Sequence, residues 1–457
     1  MTLIQIAKAC NGTLCGSDPG REAAGAVIDS RRVETDYLFV ATIGERVDGH
    51  SFIDEVFDKG ALGVVCEKAP DEPKGPYILV DNSLEALKSI AKWYRQQLNI
   101  KVVGITGSVG KTSTKEFISA VLSQKYQVLK TEGNFNNEIG LPLTILKIRE
   151  AHEIAVLEMG INNFGEMHRL SEIAKPDLCV ITNIGQCHLE NLGSREGILK
   201  AKSEIFDFMN ENGRVCVNGD DDMLTTIQEV KGMRPIRFGL GNQNDVSASD
   251  IISKGLFGSS CNIHVGYKSF SAEIPLPGAH MVLNALAASA VGSLLDMTNR
   301  EIAAGIASVM PVGGRSNILR EANWTIIDDC YNANPVSMKA ALDLLCMADT
   351  RKVAILGDMG ELGDNEHLLH QEVGEYAVLK RIDLLVCVGS LSLTMYEGAK
   401  HQVEESAMST SRLLYYGTRD ELVTALSQLI KPNDTILVKA SHFMGFENVV
   451  KAIQTLA

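Results

Sequence analysis

The chain has 457 residues, of which 45% are hydrophobic and 22% are charged, and its formal net charge is -14 at pH 7. This length is too great for one hydrophobic core and predicts about three domains, while the ordinary composition argues against wholesale disorder. The acidic balance argues against a general nucleic-acid binder, although backbone N–H groups and a few lysines can still hold small anions.

The cysteine pattern indicates a reducing compartment. Ten cysteines are scattered from Cys10 to Cys387 without a CxxC pair, so they fit small apolar residues better than a disulfide framework. The first residues, MTLIQIAKACNG, lack the apolar run of a signal peptide. No stretch reaches the roughly 18 apolar residues of a membrane span. The sequence predicts a soluble, cytoplasmic protein without a membrane span.

Residues 1–98 form the first predicted domain, a small α/β unit. Apolar runs in LFVAT and LGVVCE predict strands. Helical spacing of apolar residues in HSFIDEVFDKGA and SLEALKSIAKWYRQQL predicts helices, and the second helix closes the domain.

Residues 99–313 form the second predicted domain. It opens with KVVGITGSVGKTSTKEFISAVLSQK, a pattern that indicates a strand, a glycine turn and an amphipathic helix. Further strands fit EIAVLEMG, DLCVITNIG and RVCVNGD, and strands alternating with helices predict a parallel, doubly wound sheet. A long helix fits LPGAHMVLNALAASAVGSLL, and PVGGR is a candidate boundary loop.

Residues 314–457 form the third predicted domain and repeat the α/β alternation. Its predicted strands are WTIIDDC, KVAILGDM, LLVCVGS and DTILVKAS, and GFENVVKAIQTL predicts a terminal helix.

The strongest chemical signal lies between Gly104 and Thr112, in GITGSVGKT. Glycines there let the backbone wrap a phosphate, a helix N-terminus faces the anion, and the lysine and threonine of the last two positions reach phosphate and Mg²⁺. Ile105 stands where the strict GxxxxGK[ST] pattern has its first glycine. The alternative is a glycine-rich turn before a helix, but the strand-turn-helix context favours a phosphate-binding loop.

Three further residues are ambiguous when taken singly. Glu158 and His188 follow predicted strands at the sheet edge where ligands bind in α/β folds. Glu158 could equally begin a solvated loop, His188 could be a hydrogen-bonded structural residue, and Lys202 could be a solvated helix lysine.

Taken together, these segments resemble the Mur ligase family. GITGSVGKT, EMG, TNIGQCHLENLGSREGILKAKSEIF, HMVLNALAA, GGR and DDCYNANP follow the order of that family, and the resemblance covers essentially the whole chain. TEGNFNNEIGLPLT, EMGINNFGEM, DCYNANPVSM and LGDMGELG resemble the branch that joins D-alanyl-D-alanine to UDP-N-acetylmuramoyl-tripeptide. The DSRRV, LFVA and DGHSF segments resemble the family's UDP-binding domain.

The resemblance implies an α/β fold of three domains: an N-terminal UDP-substrate domain, a central parallel-sheet ATPase domain with a P-loop, and a C-terminal Rossmann-like domain. It implies an ADP-forming amide ligase of peptidoglycan biosynthesis that uses ATP and Mg²⁺. The tripeptide carboxylate would be phosphorylated by ATP, and the amine of D-alanyl-D-alanine would then attack the acyl phosphate. The implied protein is a monomer.

The resemblance also implies roles for particular residues. Lys111, Glu158, His188 and Lys202 are the implied catalytic residues. Thr112, Glu158, His188 and Lys202 are the implied magnesium ligands, with Lys202 carried as a carbamate. The implied ATP-binding residues are Gly107, Ser108, Val109, Gly110, Lys111, Thr112, Ser113, Asn137, His280, Asn284, Arg315 and Asp329. Asp29, Ser30 and Arg31 match the UDP end of the substrate site.

The chain departs from the family near its C-terminus, where Lys439-Ala-Ser-His442 replaces a KGSR-like segment. Candidates for choosing the dipeptide are Asn332, Asn334 and the LGDMGELG loop. Open alternatives are a sister Mur ligase or a folylpolyglutamate synthase, a P-loop nucleotide switch, and a degenerate ligase kept as a scaffold. The third residue of the peptide, lysine or diaminopimelate, is also open.

Overall fold

The computed structural model describes residues 1–44, 47–405 and 411–456. Three sheets follow one another along these ranges, and helices accompany each sheet. The predicted α/β class with a parallel-sheet central unit is confirmed. The boundaries at residues 98 and 313 stay predictions. Within the described ranges, each helix is too short or too polar to cross a bilayer.

The first sheet has the order β1-β5-β4-β3-β2, in which only the β1–β5 pair is antiparallel. Its strands are β1 (Thr13–Cys15), β2 (Gly25–Val27), β3 (Tyr37–Val40), β4 (Gly63–Cys66) and β5 (Tyr77–Leu79). The accompanying helices are α1 (Leu3–Ala9), α2 (Ile53–Asp58) and α3 (Ser83–Gln97).

The central sheet has the order β14-β13-β12-β11-β10-β9-β6-β8-β7. Its strands are β6 (Lys101–Thr106), β7 (Val128–Lys130), β8 (Ile154–Glu158), β9 (Leu178–Ile181), β10 (Arg214–Asn218), β11 (Ile236–Phe238), β12 (Val246–Ser253), β13 (Ser259–Val265) and β14 (Lys268–Ile274). Its helices are α4 (Lys111–Leu122), α5 (Gly140–Ile145), α6 (Glu166–Ala174), α7 (Leu189–Leu192), α8 (Arg195–Ser203), α9 (Ala279–Leu294) and α10 (Asn299–Ala307). Strands β6 to β12 pair in parallel, whereas β12, β13 and β14 form an antiparallel extension that was not predicted from the sequence.

The third sheet has the order β15-β16-β20-β17-β18-β19 and is parallel except for the β15–β16 pair. Its strands are β15 (Asn317–Arg320), β16 (Thr325–Asp328), β17 (Lys352–Gly357), β18 (Leu384–Val388), β19 (Arg412–Tyr416) and β20 (Thr435–Lys439). Its helices are α11 (Pro335–Leu345), α12 (Glu366–Leu379), α13 (Ser392–Glu405), α14 (Arg419–Leu429) and α15 (Glu447–Thr455).

Helix α3 joins the first sheet to the central one. It begins at an Asn82 cap, whose side chain accepts a hydrogen bond from Glu85 N, and its apolar face is buried. One continuous apolar cluster contains Ile90 of this helix together with Leu3 and Leu170. Because this core crosses the predicted boundary at residue 98, the first two units pack on each other and not only along a linker.

Arg95 fastens the end of α3 to the central unit. Its guanidinium is buried and donates to four backbone carbonyls, at 2.9 Å from Nε to Ala174 O and at 3.3 Å to the oxygens of Leu98, Ile100 and Lys175. Burial lowers the pKa of Arg95, and Asp177 partly offsets this effect. The helix end is therefore held by main-chain contacts rather than by packing alone.

We expect Arg95→Met to lower the free energy of unfolding by about 3 kcal/mol, because several buried carbonyls lose their donor at once. Lys92→Met on the same helix is the matched control, since Lys92 pairs with Glu172 at the surface and such pairs contribute at most about 1 kcal/mol. Thermal unfolding of both variants measures the difference. Equal shifts in the two variants would contradict this account of Arg95.

Candidate active site

The phosphate-binding loop connects β6 to α4 and requires glycine at two positions. Gly107 has φ 149°, and a Cβ there would lie 1.9 Å from Thr182 Oγ1. Gly110 has φ 82° and immediately precedes the helix. Ile105 lies inside strand β6 and is fully buried, so the first glycine of the strict pattern is replaced by a core residue before the turn begins.

Asn183, which is not among the site residues predicted from the sequence, holds the loop against the end of β9. Its carbonyl accepts a hydrogen bond from Ser108 N at 3.0 Å, and its Oδ1 accepts one from Val109 N at 2.9 Å. Its Nδ2 donates to Val109 O at 3.0 Å, and Thr182 Oγ1 donates to the same carbonyl at 2.6 Å. The sequence feature that could have indicated this contact is the polar TNIG segment, which follows an apolar strand.

The open face of the loop is suited to an anion. Helix α4 starts without a capping side chain, so its first N–H groups lack a side-chain acceptor. The Lys111 ammonium lies over the turn and donates to Gly107 O at 2.8 Å. A helix N-terminus with an adjacent lysine is the physical arrangement that holds phosphate.

Glu158 lies at the end of β8 and is only 1% exposed. Its Oε2 accepts a hydrogen bond from Thr112 Oγ1 at 2.8 Å, and its Oε1 accepts one from Asn136 Nδ2, also at 2.8 Å. Lys115 Nζ approaches Oε2 to 4.0 Å from a fully buried position. The Thr112 and Glu158 oxygens are the hard donors that Mg²⁺ prefers, so these residues fit a magnesium site completed by phosphate and water.

Asn136 reaches this carboxylate, whereas the neighbouring Asn137, which the resemblance implies to be an ATP-binding residue, makes a different contact. Asn137 Oδ1 accepts hydrogen bonds from Ile139 N at 3.2 Å and Gly140 N at 2.9 Å, which closes a local turn before α5. The NFNNEIG segment contains three asparagines, and its sequence does not tell which of them faces Glu158.

Cys187, His188 and Lys202 form a second cluster near the loop. Lys202 is 1% exposed, and its side-chain amine forms no hydrogen bond or ion pair within the described residues. Burial lowers its pKa to about 8, with opposite contributions from Cys187 and Lys111. Burial opposes ionisation of Cys187, but the charge of Lys202 and contact with His188 bring its pKa down to about 6.

His188 adopts a left-handed conformation, with φ 58°, directly before α7. Its Nδ1 lies 2.7 Å from Oε2 of Glu361, which belongs to the third unit, yet this buried nitrogen has no aligned hydrogen-bond partner in the described ranges. Burial lowers the pKa of His188, but Cys187 and Glu361 outweigh it and raise the net value.

The residues predicted at the nucleoside end fall into two groups. Asn284 is buried behind the loop and accepts a hydrogen bond from Thr114 Oγ1 at 2.8 Å. Burial lowers the pKa of His280, and the charges of Asp329 and Lys439 also reach this ring, so residues of the central and third units meet there. Asp329 is paired with Lys439 at 2.6 Å.

Arg315 begins a short aromatic stack in the third unit. Its guanidinium carbon lies 3.9 Å above the centre of the Tyr331 ring, and His442 lies on Tyr331 with 5.6 Å between ring centres. His442, the departure from the KGSR-like segment, therefore packs on an aromatic ring.

Asp29, Ser30 and Arg31 lie in the first unit. Asp29 caps the turn Ser30–Arg32 and binds the Arg31 guanidinium at 2.8 and 2.9 Å, which lowers its pKa to about 2. The pKa of Glu132 is lowered chiefly by Lys147, with a smaller contribution from Arg32. This turn therefore lies within electrostatic reach of the segment that carries Asn136.

Comparison with known proteins accounts for these features together. Three family profiles match the chain: "Mur ligase family, catalytic domain" over residues 22–95, "Mur ligase middle domain" over 105–292 and "Mur ligase, glutamate ligase domain" over 314–442. The UDP-N-acetylmuramoyl-tripeptide--D-alanyl-D-alanine ligase of Bacillus subtilis (strain 168) is 40% identical over 98% of this chain and 97% of its own length. The chain belongs to the Mur ligase family.

Solved Mur ligases share the whole fold. MurF from Acinetobacter baumannii superposes with a TM-score of 0.91 at 32% identity, covering 99% of this chain and 98% of that one. MurF ligase from Thermotoga maritima, solved in complex with ADP, gives 0.81 at 30% identity and covers 94% and 97%. The resemblance to this family inferred from the sequence motifs is confirmed.

The electrostatics of this Mur ligase site predict an unusually reactive thiol. Because the Cys187 pKa is about 6, its alkylation by iodoacetamide in the ligand-free protein should be near its maximum at pH 7 and fall as the pH drops through 6. Lys202→Met should raise that pKa and slow alkylation at pH 7. Peptide mass spectrometry over a pH series measures this.

Cys10 is the internal control, since burial raises its pKa and its alkylation should need more alkaline solution. If Cys187 and Cys10 have the same pH profile, the charge of Lys202 does not act on the thiol as described.

Proposed function

We propose that this chain is an ATP-dependent, ADP-forming ligase that adds D-alanyl-D-alanine to UDP-N-acetylmuramoyl-tripeptide, the reaction named for its Bacillus subtilis relative. The observation that carries the proposal is the meeting of the phosphate loop with the Thr112–Glu158 pair at one sheet edge, with the buried Lys202 within electrostatic reach of Lys111. The product is the pentapeptide precursor of peptidoglycan, and the proposed setting is the cytoplasm, with the chain as a monomer.

ATP is the proposed nucleotide, in keeping with the ADP held by the Thermotoga maritima relative. The start of α4 and Lys111 would hold its phosphates, because the N–H groups and the ammonium face the open side of the loop. Asn284 and His280 would lie near the base. Arg315 and Asp329 would reach the nucleotide from the third unit, so that binding would draw the two units together.

Magnesium is proposed at the same site. Thr112 and Glu158 would hold an ion bound to the ATP phosphates, while His188 and Lys202 would serve a second one, with Lys202 as a carbamate. When bound, these ions reduce the electrostatic repulsion between the substrate carboxylate and the ATP phosphates, because both groups are anionic. The protein prepares the first position by holding Glu158 between Thr112 and Asn136.

The environment of Lys202 supports its modification. Its pKa of about 8 leaves part of the amine neutral near pH 7, and the neutral amine is the form that adds to CO₂. Addition would turn a buried cation into an anion beside Lys111, which relieves the repulsion between two lysines. A lysine among metal ligands is then chemically reasonable.

The reaction divides into two transfers. The terminal carboxylate of the tripeptide attacks the γ-phosphorus of ATP, the bond to ADP breaks, and an acyl phosphate forms. The amine nitrogen of D-alanyl-D-alanine then attacks the acyl carbon, inorganic phosphate leaves, and the nitrogen loses a proton. Lys111 would stabilise the transferred phosphoryl charge, and Asp29, Ser30 and Arg31 would hold the uridine diphosphate end.

The alternative functions account for fewer of the observed features. A nucleotide switch needs the phosphate loop but neither Lys202 nor a separate first unit. A sister ligase or a folylpolyglutamate synthase does not account for the likeness to the Bacillus subtilis ligase along almost the whole chain. A degenerate scaffold would not be expected to keep the buried, hydrogen-bonded Glu158.

Product analysis tests the proposal. Purified protein is given ATP, Mg²⁺, UDP-N-acetylmuramoyl-tripeptide and D-alanyl-D-alanine, and each component is omitted in turn. We expect UDP-N-acetylmuramoyl-pentapeptide, detected by mass spectrometry, only in the complete mixture. Lys111→Ala should lower the rate about 100-fold or more, because the transferred phosphoryl group would lose a stabilising positive charge.

Lys125→Ala is the matched control, since Lys125 lies just beyond the other end of α4 and binds Asp296 O. ATP consumption without ligation would indicate that the true substrate is that of a sister ligase. No turnover under any condition would favour the scaffold alternative.

A second experiment tests the carbamate. Lys202→Ala should lose activity about 100-fold or more, since a charged group beside the reacting phosphate is removed, and millimolar formate or acetate should partly restore it by supplying a carboxylate. The control is Lys200→Ala, an exposed lysine of the same helix. Failure of short carboxylates to restore a folded Lys202→Ala protein would argue against the carbamate.

A further inference from the structure

The proposed function does not say which group binds the dipeptide. The three candidates from the sequence are Asn334, Asn332 and the LGDMGELG loop, and they differ in whether their polar groups are already engaged. Asn334 caps α11, with its Oδ1 accepting a hydrogen bond from Ser337 N at 2.9 Å. The Asn332 side chain accepts from Ala333 N at 2.9 Å. Both asparagines are therefore engaged by their own backbone, and the loop of residues 356–363 remains.

This loop is fixed at three consecutive residues. Asp358 Oδ1 accepts hydrogen bonds from Ser392 N and Oγ, each at 2.7 Å. Met359 N donates to His370 Nε2 at 2.9 Å, and Gly360 N donates to Ser441 Oγ at 2.8 Å. The next residue, Glu361, is therefore presented from a rigid support.

Glu361 itself has an uncommon backbone conformation. Its φ of 62° lies in the left-handed region, which side chains other than glycine, asparagine and aspartate rarely adopt. Its carboxylate reaches the central unit, where Oε2 lies 2.7 Å from His188 Nδ1. Non-glycine residues held in this region cluster at functional sites.

The Glu361 carboxylate is available to a ligand. Its side chain is 58% exposed, and the neighbouring His188 nitrogen has no aligned hydrogen bond among the described residues. By contrast, Glu158 is buried and engaged by Thr112 and Asn136. The carboxylate therefore lies at the boundary between the units, 2.7 Å from a ring nitrogen of the central unit.

The positive charge of the second substrate, the dipeptide, is complementary to the Glu361 carboxylate. The α-amino group of a dipeptide has a pKa of about 8 and arrives largely as an ammonium ion. The central unit offers it the cations Lys111 and, before modification, Lys202, which repel it. An exposed carboxylate from the third unit is the complementary partner.

We propose that Glu361 binds the ammonium group of the incoming dipeptide and thereby selects an amine for the second transfer. This inference rests on the proposed function, because it concerns the same site and the same reaction. The third unit then supplies the nucleophile, while the central unit holds the activated carboxylate.

Steady-state kinetics of Glu361→Gln test the inference. The KM for D-alanyl-D-alanine should rise about tenfold or more, while the KM values for ATP and UDP-N-acetylmuramoyl-tripeptide should change less than about twofold. Formation of the acyl phosphate without dipeptide, trapped by borohydride reduction, should be unchanged. Glu372→Gln is the matched control, since Glu372 pairs with Lys339 on the same unit at 3.1 Å.

A neutral analogue separates ammonium binding from a structural role. D-lactyl-D-alanine, which has a hydroxyl in place of the ammonium, should inhibit the wild type and Glu361→Gln with similar constants. An unchanged dipeptide KM in an active Glu361→Gln enzyme would overturn the inference. So would a loss shared by all three substrates and the analogue, which would mean that the contact with His188 only holds the units together.

Different results would contradict the proposed function and the proposed role of Glu361. A wild-type protein that makes no pentapeptide contradicts the proposed function, whatever Glu361→Gln does. An active wild type whose Glu361→Gln variant keeps its dipeptide KM contradicts only the assignment of Glu361.

Discussion

The site depends on the parallel adjacency of β8, β6 and β9 in the central sheet. Parallel strands end at the same edge, so the phosphate loop, Glu158 and Asn183 meet there although about 80 residues separate Gly104, where the loop motif begins, from Asn183. The loop is then fixed by hydrogen bonds between Asn183 and the backbone of Ser108 and Val109. The binding groups are consequently in position before a ligand arrives, which lowers the entropic cost of binding.

Buried charge is the second organising feature. Glu158 is satisfied by neutral hydrogen-bond donors, and its proximity to Lys115 offsets part of the cost of burying an anion. Lys202 has no carboxylate partner in the described ranges, and its lowered pKa reflects that cost. Natural proteins rarely keep an unpaired buried lysine without a function, because replacing it with an apolar residue would stabilise the fold.

The third unit contributes two kinds of group to this centre. The Asp329–Lys439 pair is internal to the unit and lies within electrostatic reach of His280 in the central unit. Glu361 contacts His188 directly across the same boundary. The first two units, by contrast, share a continuous apolar core.

The amino-acid sequence by itself determined the elements whose signals are local. Apolar runs predicted strands β6, β8 and β9, the glycines predicted the phosphate loop, and the order of motifs indicated the family. Only the tertiary structure decided which asparagine of NFNNEIG faces Glu158, that Asn183 holds the loop, that β12 to β14 extend the central sheet, and that Glu361 meets His188. Hydrophobic periodicity and turn chemistry are properties of neighbouring residues, so they can be inferred from the chain. The partner of a polar side chain is set by packing between distant segments, which no local pattern records.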